Sequence, residues 1–91
     1  MSVLVVGGDY LGNIPMQLEK AGFTEVLHLS GRKRSHLQNE IPQKVDCVIV
    51  LTDFVNHSLA SVIKEKCRCA GKKALFAKRA WSHIAKALEE K

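Results

Sequence analysis

The chain has few cysteines and no long apolar stretch, and each of these features argues against a class of protein. Its three cysteines cannot all pair and show no C-x-x-C spacing, so we expect neither a disulfide scaffold nor a zinc knuckle. A run of about 18 apolar residues, which a membrane helix needs, does not occur. The amino-terminal residues also lack the basic and apolar regions of a secretory signal. We therefore expect a cytoplasmic protein with no membrane partner.

Aromatic residues are also scarce, with one Trp, one Tyr and three Phe, and none lies in the pattern of an RNA-recognition sheet. Neither a helix-turn-helix nor a zinc finger can be drawn. The charge, in contrast, is predominantly positive: the chain has 14 Lys and Arg and 9 Asp and Glu, which gives a net charge of +5. The excess predicts an anionic partner. Nonspecific nucleic-acid binding through the phosphate backbone is one alternative that this leaves open.

The length of 91 residues is enough for one domain, covering 1–91. A domain of this size buries about 60 to 65% of its unfolded surface, which is a modest core. Association with a second copy would enlarge that core, so we expect a homodimer.

Four short apolar runs, separated by helical or loop stretches, predict a β-α-β-α order. They are Val3–Val6, Val26–Leu29, Cys47–Leu51 and Ala74–Ala77. The first and third are continuously apolar, which is typical of central strands in a parallel sheet covered on both faces. Right-handed crossovers then give a three-layer, Rossmann-like half, with a four-stranded parallel sheet of order 2-1-3-4 and helices on both faces.

Capping and terminating residues bound three predicted helices. Their limits are Asn13 to Gly22, with Pro15 in the first turn; Asn56 to Ala70, with Gly71 as terminator; and about Arg79 to Glu90. In the second helix an apolar stripe of Leu59, Val62, Ile63, Cys67 and Ala70 is expected to face the sheet. The polar segment 30–44 has room for a short helix at best.

The most distinctive motif is the glycine turn, residues 7–12, which reads G-G-D-Y-L-G between the first strand and the first helix. Glycines allow a phosphate to approach the backbone, and amides at a helix start attract anions. Dinucleotide-binding proteins carry G-x-G-x-x-G, whereas Asp9 stands here in place of the middle glycine. The turn predicts a binding site at this place without naming the ligand.

Ligands of open α/β sheets bind beyond the carboxyl ends of the strands, and four polar segments are predicted to meet there. The candidate ligand-binding residues are Gly7, Gly8, Asp9, Gly12, Ser30, Gly31, Arg32, Lys33, Thr52, Asp53, Asn56, His57, Lys78 and Arg79. Their basic members suit a phosphorylated, nucleotide-like ligand. The alternative for the run beginning at Arg32 is a solvated surface turn.

Asp9, Asp53 and His57 suit either a sugar hydroxyl or a divalent cation such as Mg, Mn or Zn. The structural alternatives are an aspartate that binds loop amides and a solvated histidine. No serine lies in a G-x-S-x-G setting and no cysteine has an activating neighbour, so we predict no catalytic residue. A small metal-assisted hydrolase or transferase remains the third hypothesis.

Several of these strings carry a family resemblance over nearly the whole chain: G-G-D at 7–9, S-G-R-K at 30–33, T-D-F-V-N-H at 52–57 and K-R-A-W at 78–81. Together they resemble a family of small bacterial proteins classed as a domain of unknown function. The resemblance implies a cytoplasmic, stand-alone Rossmann-like module. Some members are labelled dihydroorotate dehydrogenase-like. This chain does not support that label, because the activity resembles that of a flavin-holding barrel several times longer. The leading hypothesis is a regulatory or accessory module that binds an anionic small molecule.

Overall fold

The computed structural model describes residues 1–8, 10–29, 41 and 43–89, and this part of the chain forms four strands and three helices. The elements are β1 (Ser2–Val6), α1 (Ile14–Lys20), β2 (Glu25–Leu29), β3 (Cys47–Leu51), α2 (His57–Ala70), β4 (Lys73–Ala77) and α3 (Trp81–Glu89). The predicted strands are confirmed to within one residue at each end. The short helix considered for 30–44 falls almost wholly outside the described residues.

The sheet has the predicted topology, since its four strands are parallel and lie in the order β2-β1-β3-β4. Val5 of β1 lies between His28 of β2 and Ile49 of β3 in the register. The two central strands are almost wholly buried, and this explains why their sequences are continuously apolar rather than alternating.

Alternating side chains of the central strands build two cores, one on each face of the sheet. Val5 and Ile49 pack beneath α1 and α3, whereas Val6 and Val50 pack beneath α2. This confirms the three-layer arrangement with helices on both faces. Within the described residues, no helix combines the length and apolar character that crossing a membrane requires.

The ends of α2 follow the sequence signals closely. The side chain of Asn56 accepts a hydrogen bond from the amide of Leu59 at 2.7 Å, and Gly71 ends the helix with a positive φ of 70°. At α1, in contrast, Asn13 occupies the N-cap position but its side chain makes no capping hydrogen bond.

Two details of the predicted helices are wrong. Val62 is 37% exposed and Ala70 is exposed, because the i, i+4 row of Leu59, Ile63 and Cys67, with Ala60 partly buried beside it, is what packs on the sheet. The last helix begins at Trp81 and not at Arg79.

Candidate functional site

Three of the four polar segments predicted at the carboxyl edge of the sheet do meet there, and Arg79 joins them. Its Nε and Nη2 atoms donate hydrogen bonds to the carbonyl of Tyr10, at 3.2 and 2.7 Å. Its amide donates to Oδ1 of Asp53 at 3.3 Å. The loops after β1, β3 and β4 are therefore tied together by one residue. The fourth segment, 30–34, lies outside the described residues.

The first glycine of the turn is required by packing inside the protein. Gly7 has a φ of 116°, and a Cβ built on it would lie 2.8 Å from Cγ2 of Val55. Its amide donates to the carbonyl of Leu29 at 2.8 Å, and its carbonyl lies 3.1 Å from Nε2 of His28. The Gly7 amide is thus already used by the neighbouring strand β2.

The other two glycines of the turn also face side chains of the protein itself. A Cβ at Gly8 would contact the Phe54 ring at 3.6 Å, and one at Gly12 would lie 3.2 Å from Nη2 of Arg79. Phe54 and Arg79 thus lie against these glycines, where the sequence pattern indicated an approaching phosphate. Asp9, between the first two glycines and Tyr10, lies outside the described residues.

Helix α1 offers little to an anion. It has seven residues, the amide of Ile14 already donates to the carbonyl of Leu11 at 3.1 Å, and Pro15 has no N–H. An anion bound at this edge therefore depends on side-chain cations rather than on the start of this helix.

Of the three residues considered for a cation, the structure describes Asp53 and His57, and Asp53 has a structural partner. The Asp53 carboxylate accepts the Arg79 amide and Asn56 caps α2, which are the structural roles weighed above, while His57 is exposed at the first position of that helix. Among the described residues there is no group of three or more His, Cys, Asp or Glu able to hold a metal. The cation site stays a prediction because Asp9 is not among them.

An open hollow of about 330 Å³ lies at the carboxyl edge, between the end of β4 and the outward side of α3. We call it the basic hollow. It is lined by Thr52, Phe76, Ala77, Lys78, His83, Lys86 and Ala87.

The secondary structure explains how these lining residues come together. The amide of Thr52 donates to the carbonyl of Ala77 at 2.9 Å, which joins the ends of β3 and β4 beside Lys78. His83 and Lys86 are three residues apart on α3, a spacing that brings their side chains to one side of the helix.

The charge of the basic hollow has one sign. Its lining carries two ammonium groups and one imidazole, and none of its lining residues is a carboxylate. The lining also includes Phe76, Ala77 and Ala87. The arrangement favours a negatively charged ligand.

Sequence reasoning found Thr52 and Lys78 but missed Phe76, His83 and Lys86. The apolar spacing of the last helix, with Ile84 and Leu88 facing inward, predicts His83 and Lys86 on its outward side, and both are exposed. The available signal was their three-residue spacing in the helix that directly follows Lys78. Nothing in the sequence distinguishes Phe76 as a lining residue, because it is one of several apolar residues in the strand.

The sequence also did not predict that two further aromatic residues at this edge are exposed. Tyr10 is 78% exposed and Phe54 is 52% exposed, each in a loop that follows a strand. Single exposed apolar side chains are common in folded proteins, so the exposure of these two residues does not by itself mark a binding surface.

A larger hollow of about 550 Å³ lies at the opposite, amino edge of the sheet. Its lining is mainly apolar and includes Phe23, Leu75 and Leu88, and Lys73 at the start of β4 also lines it. None of the predicted site residues contributes to this lining. Ligands of open parallel sheets bind at the carboxyl edge, so we favour the smaller hollow as the functional site.

The pKa shifts found on α2 concern residues outside the basic hollow. A hydrogen bond from Arg68 lowers the pKa of the Glu65 carboxyl and raises that of the guanidinium. Burial raises the pKa of the Cys67 thiol, and the nearby Cys47 thiol raises it further.

A parallel sheet of order 2-1-3-4, with helices on both faces and polar loops at its carboxyl edge, defines a Rossmann-like α/β protein. The chain belongs to the family DUF2325, described as uncharacterized protein conserved in bacteria, whose profile matches residues 2–91. This confirms the resemblance carried by the motifs. Neither a curated protein nor a solved structure matches the chain.

Proposed function

We propose that this protein is a small binding module that holds a phosphorylated small molecule in the basic hollow. The observation that carries the proposal is the convergence of Lys78, His83 and Lys86 on one concave surface whose lining includes no carboxylate. The surface lies at the edge where sheets of this type bind ligands. We assign the module a regulatory or accessory role in the cytoplasm, without catalysis of its own.

Three of the polar lining groups hold the phosphate in this proposal. The ammonium groups of Lys78 and Lys86 donate charge-assisted hydrogen bonds to its oxygens, and the Thr52 hydroxyl adds a neutral donor. Small-molecule sites commonly enclose about 300–1,000 Å³, and the hollow of about 330 Å³ is at the lower end of that range. It fits one compact ligand rather than a dinucleotide.

Arg79 has a positioning role in this account. Two of its guanidinium N–H groups are used on the carbonyl of Tyr10, and its amide is used on Asp53. It holds the loop after β4, and with it Lys78, against the loops after β1 and β3. This differs from the direct phosphate contact that the sequence suggested for it.

The proposal is tested with two lysines at opposite ends of one strand. Lys73 begins β4 at the amino edge and Lys78 follows it at the carboxyl edge, and both are exposed. Each alanine variant loses one positive charge, so a difference in ligand affinity between the two variants reports at which edge of the sheet the ligand binds. In calorimetric titrations with ribose 5-phosphate, we expect Lys78→Ala to weaken binding roughly 10- to 100-fold, as the loss of a charged hydrogen bond does.

Lys73→Ala is expected to bind ribose 5-phosphate like the unaltered protein. The proposal fails if no phosphorylated compound binds the unaltered protein. It also fails if both variants weaken binding equally and affinity falls steeply with added salt, since that pattern indicates nonspecific attraction to nucleic-acid backbones.

We also propose that the protein forms a homodimer, because 91 residues provide only a small core. Light scattering over a dilution series measures this directly. The expected mass is twice the chain mass of 10.1 kDa, and the chain mass at every concentration would contradict the proposal.

A further inference from the structure

We infer that the second copy of this chain binds at the amino edge of the sheet, where it covers the larger hollow of about 550 Å³; this inference rests on the proposed homodimer. The hollow lies between the ends of α1 and α3, which pack on the same face of the sheet. The starts of β3 and β4 line it with Cys47, Lys73 and Leu75. Association at this place buries a mainly apolar surface, and such burial is the main driving force of protein association.

The side chains that line the hollow from the sheet lie on the face that α1 and α3 cover. Cys47 and Leu75 pack in that core, and Lys73, two residues before Leu75 on β4, leaves the strand on the same side. The two helices do not cover the apolar lining completely. Leu75 and Leu88 are half-buried, and Met1, which also lines the hollow, is 64% exposed. A second copy would remove these side chains from water.

The lining carries charges of both signs, and two of them lie on opposite sides of β3. Lys73 belongs to β4, which pairs with β3 on one side. The Asp46 carboxylate lies toward β1 on the other side, where its Oδ2 accepts the Ser2 amide at 2.6 Å. Neither residue makes an ion pair with another residue that the structure describes. Both charges are exposed, and the carboxylate has acceptor positions left for a further partner.

Two-fold symmetry makes these two charges complementary. In a two-fold dimer every contact between two different residues occurs twice. An axis that passes the start of β3 along the strand direction exchanges the β1 side with the β4 side, because β3 lies between these strands. It therefore brings Lys73 of each copy opposite the partner's Asp46. The resulting interface has an apolar centre and polar contacts at its rim, as protein interfaces usually do.

The carboxyl edge does not fit a second copy in the same way. The lining of the basic hollow includes Lys78, His83 and Lys86 and no carboxylate, so two copies that met there would repel each other.

The free edge of β4 is the other surface with exposed apolar side chains, since Phe76 is 39% and Val62 is 37% exposed. Phe76 lies on the α2 face of the sheet, because its neighbours along β4, Leu75 and Ala77, pack on the opposite face. Antiparallel pairing of β4 with its copy, centred on Leu75, would place Lys72 opposite Lys78 of the other copy. Like charges directly opposite each other destabilise such a pair, and lysines on an edge strand oppose its pairing.

A dimer joined at the amino edges has its two carboxyl edges at opposite ends, because all four strands run in the same direction. Both basic hollows then remain open to ligand. Association and phosphate binding are therefore separate properties, and a variant that no longer associates should still bind ribose 5-phosphate.

The experiment measures the dimer dissociation constant by sedimentation equilibrium for two matched charge reversals. Lys73→Glu places a second carboxylate opposite the partner's Asp46 at both contacts, so we expect the constant to rise about 10-fold or more. Lys78→Glu makes the same reversal just beyond the other end of β4 and should leave the constant unchanged.

A mixture of two variants tests whether the contact joins two copies. Asp46→Lys should also weaken association, because each new lysine faces the partner's Lys73. When it is mixed with Lys73→Glu, a dimer close in stability to the unaltered one should form, since each contact then joins one cation and one carboxylate. A contact within a single chain could not be restored by mixing.

The unaltered protein provides a readout that does not depend on how a variant folds. On dilution from dimer to monomer, the backbone amide resonances of Asp46, Lys73 and Leu88 should shift, and those of Thr52 and Lys78 should not. An unchanged dissociation constant in Lys73→Glu, or dilution shifts away from the amino edge, would overturn the inference while leaving the homodimer in place. The chain mass at every concentration would refute the homodimer itself, and with it this inference.

Discussion

Gly7 shows how a residue that looks like part of a ligand-binding motif can be required by the packing of the chain itself. Its φ of 116° lies in the region that favours glycine, and the end of β1 approaches Val55 too closely for a side chain. The glycine turn is therefore a structural device that lets two strand ends and their loops come together. Glycine composition does not by itself separate this role from ligand approach.

Alanine substitution at two glycines separates backbone strain from steric overlap. Gly22 has a φ of 111°, close to that of Gly7, but nothing lies within 4 Å of a Cβ built there. We expect Gly22→Ala to lose about 1–2 kcal/mol of unfolding free energy from backbone strain alone. Gly7→Ala should lose about 1–3 kcal/mol more, because the new Cβ overlaps Val55 and Leu51.

Urea denaturation of both variants measures the two losses. Equal losses at the two positions would show that the contact of the Gly7 region with Val55 is not tight, and the structural explanation of the motif would be wrong.

The cysteines provide a second prediction at the scale of single residues. Cys69 is exposed on α2, whereas Cys47 and Cys67 are buried and burial raises the pKa of the Cys67 thiol. A thiol reacts as its thiolate, so a buried thiol with a raised pKa reacts slowly at neutral pH. A colorimetric disulfide reagent should modify one thiol per native chain rapidly and all three after denaturation.

Cys69→Ser is the control for this measurement, since it should remove the rapid phase. Rapid modification of two or three thiols in the native protein would show that one of the two cores opens readily.

At the scale of secondary structure, the elements that depend on local signals are those that the sequence predicts best. β1 and β3 are continuously apolar because both their faces are covered, and α2 carries a functioning cap at Asn56 and a terminator at Gly71. The start of α3 could not be predicted in the same way. The Arg79 amide, which the sequence places inside that helix, is held by Asp53 from a loop 26 residues away.

The two asparagine caps yield a prediction for the helices. Asn56 accepts the Leu59 amide at 2.7 Å, whereas Asn13 occupies the same position before α1 without a capping hydrogen bond. Asn56→Ala should lower the free energy of unfolding by about 1 kcal/mol, the usual loss for a cap. Asn13→Ala should change it by less than about 0.5 kcal/mol.

Thermal or urea unfolding compares the two variants under identical conditions. A larger loss for Asn13→Ala than for Asn56→Ala would contradict the capping geometry at both helix starts.

At the scale of the whole molecule, the parallel sheet separates two different edges. All strands point the same way, so the loops after β1, β3 and β4 meet at the carboxyl edge, and topology alone predicts this. Topology does not predict the basic hollow, because that hollow depends on how the outward side of α3 lies beside the end of β4. It also does not predict that Phe54 and Arg79 pack against the glycine turn.

The two edges also differ in character. The amino edge has the larger hollow with a mainly apolar lining, and the carboxyl edge has the smaller hollow with cations and a hydroxyl. The net charge of +5 draws anions toward the molecule as a whole. Where they bind depends on the local arrangement, and the account assigns that place to the basic hollow.

The most direct test is a titration of the isotope-labelled protein with inorganic phosphate, followed by nuclear magnetic resonance of the backbone amides. The account predicts saturable shifts concentrated at Thr52, Lys78, His83 and Lys86, with those of the amino edge around Lys73 unchanged. Shifts centred on the amino edge, or weak shifts spread over every basic residue without saturation, would contradict it.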